Sequence, residues 1–99
     1  MTFVTANINE SIMPVARGQK YGEPLNSFLT KRGIGEVTGG GSSLGPNGEP
    51  NRIDVDFDLK DPAVNAVIVA KKLKELGAPT GSYLHYRIGE HEHKVPVTD

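Results

Sequence analysis

The chain has 99 residues, with 11 basic and 12 acidic side chains and a formal net charge of −1. A chain of this length builds one hydrophobic core, and its near-neutral charge lacks the basic field of a dedicated nucleic-acid binder. There is no cysteine, which excludes a disulfide framework, a thiolate nucleophile and a cysteine-ligated zinc site.

Leu, Ile, Val and Phe together make 25 of the 99 residues, above the roughly one-fifth below which chains usually stay unfolded. No apolar run approaches the ~20 residues that span a bilayer. The opening Met1-Thr2-Phe3-Val4-Thr5 has neither the basic nor the apolar segment of a secretory leader. The expectation is one domain over 1–99, cytoplasmic, with no membrane or nucleic-acid partner and no cofactor implied.

Val4, Ala6 and Ile8 alternate with Thr5, Asn7 and Asn9, the period of a half-buried strand. Residues 13–22 contain Pro14, Gly18 and Gly22 and read as a connection. A short helix follows, with Pro24 in its first turn, Leu25, Phe28 and Leu29 on one face and Gly33 as its left-handed stop. Glu36-Val37-Thr38 opens a second strand. From Gly39 to Asn51 the chain carries five glycines and two prolines, with a turn signal at Pro46-Asn47-Gly48, and 39–51 reads as a flexible hairpin loop.

The third strand is the clearest element: Ile53, Val55, Phe57 and Leu59 alternate with Asp54, Asp56 and Asp58, so one face is core and the other polar. Asp61-Pro62 places an N-cap before a proline at the first helical position. The helix it starts runs to about Leu76 and stops at Gly77. A fourth strand covers 82–89, with Leu84, Tyr86 and Ile88 alternating with Tyr83, His85 and Arg87. Residues 90–99 form a polar C-terminal tail, an extension of the sheet edge or an unstructured end.

The order is β-α-β-β-α-β in an α+β domain. It resembles, in topology alone, the ferredoxin-like split βαβ sandwich, which implies a four-stranded antiparallel sheet with both helices on one face, strands one and three central and strands two and four at the edges. A fold this widely used does not assign a function.

Three features bear on function. Asp54, Asp56 and Asp58 stand ~6.6–7 Å apart along one strand face, the face left open by the helices. Their plainest account is a solvated polar surface paired with Arg52 or Arg87; the sharper one is a docking surface for a cationic protein partner that also uses Arg87. An EF-hand needs glycine at position six, where this chain has Leu59, and the spacing exceeds what one ion bridges. His85, His91 and His93 are the candidate metal ligands, since imidazoles suit Zn, Ni or Cu; a polar tail accounts for the last two equally well. Gly39, Gly40 and Gly41 bring exposed backbone amides for a small ligand or a neighbouring subunit, but with no Gly-Lys-Ser/Thr ending and no following helix they are not a P-loop.

On the second helix Ala66, Val69, Ala70, Leu73 and Leu76 form a core stripe, leaving Val64 and Ile68 as an apolar patch suited to self-association. The best catalytic constellation the residues offer is Asp54 and Asp56 with His85 on the open face. The reading that fits best is a non-catalytic protein-interaction or regulatory module using an acidic sheet face. The alternatives are a small-ligand or metal-binding domain, or a small enzyme.

Overall fold

The computed structural model describes residues 1–44, 46 and 50–97. The elements are β1 (Thr2–Ile8), α1 (Pro14–Arg17), a π-helical turn (Gly18–Gly22), α2 (Glu23–Arg32), β2 (Gly35–Leu44), β3 (Pro50–Leu59), α3 (Pro62–Glu75), β4 (Tyr83–Ile88) and β5 (His91–Pro96). Among the described residues the sheet has five strands, not four, in the order β2-β3-β1-β4-β5, every neighbouring pair antiparallel. β1 and β3 are interior strands and β2 is an edge, as expected; β4 is not, because the tail pairs with it as β5 from Ile88↔His91 to Tyr83↔Pro96.

The hydrophobic alternation sets the register. Val4, Ala6 and Ile8 pair with Phe57, Val55 and Ile53, so the apolar sides of both strands meet on one face. Leu84 and Tyr86 join them through Ala6 and Val4. Against this face pack Tyr21, Leu25 and Leu29 from the first helical region and Ala66, Val69, Ala70 and Leu73 from α3, all buried in one cluster. A buried Leu or Phe of this kind contributes roughly 1.5–3 kcal/mol.

Three local expectations are corrected. Residues 14–22 are helical, so α1, the π-helical turn and α2 run without a break; Gly18 and Gly22 are weak helix formers, but the wholly buried Tyr21 lies between them and fixes the turn. The described part of 39–51 is largely strand: Gly39, Gly40 and Gly41 pair with Asp56, Val55 and Asp54, and a bulge between Val37 and Gly39 takes up one residue. The Pro46-Asn47-Gly48 turn signal reaches outside the described residues. Asp61 gives α3 no side-chain cap; it sits at φ 44°, a left-handed conformation that aspartate tolerates, and its carbonyl accepts from the amides of Val64 and Asn65. Gly33, at φ 66°, ends α2 as the sequence predicts, with Ile34 N–H donating to the Leu29 carbonyl at 3.1 Å.

The glycines of β2 differ in what the fold asks of them. A Cβ on Gly35 would stand 2.1 Å from the Asp58 carbonyl oxygen, and one on Gly40 2.5 Å from that of Asp54, whereas Gly39 and Gly41 have open space. We expect Gly35→Ala to cost about 2 kcal/mol or more, as overpacking against backbone does. Gly39→Ala and Gly41→Ala should be neutral or gain up to about 1 kcal/mol by reducing unfolded-chain entropy. Urea denaturation of the three variants checks the contrast.

Candidate functional site

The residues that alternate with the core stand on the opposite, helix-free face of the sheet. The pairing arranges them in rows across the strands. One row runs Gly39, Asp56, Thr5, His85, Lys94; the next runs Gly41, Asp54, Asn7, Tyr83, Pro96. On the far side of the first row, Glu36 pairs with Asp58, Asp58 with Phe3, and Arg87 with Glu92. The face therefore has two halves. β2 and β3 carry Glu36, Asp54, Asp56 and Asp58, with Arg52 at the end of the β3 row over the Tyr83 ring, while β4 and β5 carry Tyr83, His85, Arg87 and Lys94, with Glu92 among them.

The aspartates of the acidic half stand without ion pairs among the described residues. Neither arginine expected to pair with them does so. Arg52 donates to Asn9 Oδ1 at 3.3 Å and to the Gly81 carbonyl at 3.2 Å, and Arg87 donates to Glu92 Oε1 at 3.2 Å. Asp56 accepts a hydrogen bond from Thr5 Oγ1 at 3.1 Å. Among the described residues no Lys or Arg forms an ion pair with Asp54, Asp56 or Asp58. Partial burial raises the Asp54 pKa, and the Asp56 charge raises it further; Arg52 and Arg17, acting at a distance, do not cancel these effects.

Gly39 and Gly41 adjoin Asp56 and Asp54 and put no side chain beside them. The glycine run thus forms a bare floor on the outer flank of the aspartates, giving an incoming group access from the β2 side. On the other half, a shallow depression of about 370 Å³ is lined by Phe3, Thr5, His85, Tyr86, Arg87 and Glu92. Phe3 stands beside it 56% exposed, and Lys94 lies over the Tyr83 ring at 4.4 Å. Exposed Phe3 is the site residue that the period-two reading missed. Its signal was its position in the polar phase of β1, where an aromatic side chain has no core to enter.

The histidines do not converge. His85 is on the open face, 3.8 Å from Glu92. His93 pairs with Tyr86 and stacks on its ring at 4.9 Å on the other face, and His91 shares the phase of His93. Among the described residues no three His, Asp or Glu side chains are grouped to hold a metal ion. Asp56 and His85 flank Thr5 two strand spacings apart, about 10 Å, beyond the reach of a direct proton transfer. Of the proposed apolar patch, Val64 is exposed, but Ile68 is partly covered and lines a helix–helix groove with Phe28. Among the described residues no helix is long and apolar enough to cross a membrane.

A second polar cluster, formed by Glu10, Lys20 and Tyr21, is structural. Glu10 accepts from the Tyr21 hydroxyl and from Lys20 Nζ at 2.6 Å. Burial pushes the Glu10 carboxyl up, but its bonds to Lys20 and Tyr21 and the Lys20 charge outweigh this and leave it lowered. The Tyr21 hydroxyl, desolvated and facing that carboxylate, is pushed above its ordinary range.

No protein-family model, no curated protein and no solved structure matches the chain. The chemistry of the face is therefore the ground for a functional reading.

The two carboxylates have opposite pH consequences. Glu10, lowered in the fold, stabilises above its unfolded pKa, and this contribution is lost as pH falls through the folded value. Asp54, raised in the fold, is at its most favourable when protonated, and that advantage is lost as pH rises through its folded pKa. Asp54→Asn should therefore raise the melting temperature near pH 7, by about 2–4 °C after allowing for solvent screening. The gain should vanish near pH ~3, where both side chains are neutral. Thermal melts at the two pH values check this.

Proposed function

We propose that the chain is a non-catalytic interaction module whose open sheet face docks a cationic protein surface through Asp54, Asp56 and Asp58. One observation carries the reading: three carboxylates stand in a line on a rigid interior strand without an ion pair of their own among the described residues. Like charges at this spacing repel, and a fold selected for stability alone would place neutral or alternating residues there. Ligand-binding surfaces commonly hold such an unfavourable arrangement for their partner.

The surrounding features support the same reading. The glycine floor admits the stems of lysine or arginine side chains to the aspartates. Phe3, Tyr83 and the depression beside Phe3 provide apolar contact next to the charges, the mixture found at interface centres. Carboxylates in this number repel phosphate backbones, which favours a protein over a nucleic acid. The frame is read as ferredoxin-like, on the strength of the order β2-β3-β1-β4, with β5 as an addition at the edge. The absence of cysteine supports a reducing compartment such as the cytoplasm.

A Lys/Arg-rich peptide titrated into the labelled chain should shift amide resonances of β3, β1 and β2 in a salt-sensitive manner. Asp54→Asn/Asp56→Asn should weaken binding about tenfold or more, while an acidic peptide of equal length should leave the face unchanged. Shifts confined to the helices, or affinity unaltered by the double substitution, would overturn the proposal.

A further inference from the structure

The open face is complementary to itself, and we infer that its cationic partner is a second copy of this chain. The inference rests on the docking surface proposed above and names what fills it.

For two copies to meet face to face, the two-fold axis must lie in the plane between the sheets, since an axis perpendicular to them would not bring the same faces together. Sheets packed this way lie ~10 Å apart, with their strands aligned within ~30°. An axis running across the strands sets β3 over β3 and places carboxylates on carboxylates. An axis running along β1 exchanges the two halves, setting β3 over β4 of the second copy and β2 over its β5. The charge pattern selects this second arrangement.

Its contacts follow from the register. Asp58 meets Arg87 of the other copy, and Asp56 meets His85. Lys94 descends over the Gly39 floor towards Asp56, so the glycines clear its path. Phe3 lies on the axis and meets its own copy beside the two depressions of about 370 Å³ that it lines. One like-charge meeting, Glu36 with Glu92, falls at the rim, where water screens it and where Glu92 is already held by Arg87. The five strands span about 19 Å, so the contact sits at the small end of interface sizes, in keeping with an association that depends on concentration.

Sedimentation equilibrium over a concentration series tests the inference, because Asp58 and Arg87 meet twice about the axis. The wild-type chain should pass from monomer to dimer as concentration rises, with weaker association in high salt. Asp58→Arg and Arg87→Asp should each weaken association at least tenfold. Mixing the two variants, or combining both changes in one chain, should restore it. Both positions are solvent-facing, and circular dichroism of each variant verifies the fold. A wild-type chain that remains monomeric to ~1 mM at low salt overturns the inference, as does a dimer indifferent to both swaps. If the monomer still binds the Lys/Arg-rich peptide through Asp54 and Asp56, the second-copy inference has failed alone and the docking surface stands. If the peptide also fails to bind, both have failed.

Discussion

The structure depends on the strict alternation along β3. Ile53, Val55, Phe57 and Leu59 are sealed in the core, each at most 1% exposed, and this fixes Asp54, Asp56 and Asp58 on the opposite side with no freedom to turn away. Slipping the strand by one residue would bury three carboxylates and expose four large apolar side chains, so the register is held by the full energy of the core. β1 pairs with β3 in the same phase and contributes Thr5 and Asn7 between the acidic half and β4. The core thereby determines the face as well as supporting it.

The remaining charges are handled differently. On the helical side, Phe28 lies under Arg32 at 4.7 Å and Lys72 at 5.4 Å, and Lys72 also reaches Glu75 at 3.7 Å. At one end of the sheet, Lys20 and Tyr21 enclose Glu10; Asn9, Ser82 and Arg52 tie the loop before β4 back to β1 and β3. Arg32, Lys72, Lys20 and Arg52 are thus matched with rings, carboxylates or carbonyls, while the aspartate row has no ion pair among the described residues. A net charge of −1 conceals an acidic sheet half set against a helical side rich in lysine and arginine.

Elements with an unbroken period and a clear end were legible in the sequence. β1, β3, β4 and α3 were readable because alternation or a 3.6-residue stripe survives in them, and α2 because Gly33 stops it. What escaped had a local signal overridden by tertiary contact. Gly18 and Gly22 argued against helix, but a buried Tyr21 hydrogen-bonded to Glu10 outweighs their propensity. Gly39–Gly41 looked like loop, but β3 supplies a template that even glycine pairs with. The tail's polar residues left an edge extension and an unstructured end both open, because an edge strand needs only backbone partners and half its side chains remain in water; pairing with β4 decides for the strand. At the site, the acidic row and the glycines were visible one by one; that they lie side by side, with Phe3 nearby, depends on pairings between distant parts of the chain.

The central claim is that the aspartate row is electrostatically unsatisfied in the isolated chain. Titration of the side-chain carboxyl carbon of Asp54 by NMR, at a concentration low enough to keep the chain monomeric and in low salt, tests it most directly. The account predicts a midpoint above that of an unperturbed aspartate, moving down when a cationic peptide is added. A midpoint at or below the ordinary aspartate value in the free chain would mean that the row is already neutralised by its own neighbours, and would contradict it.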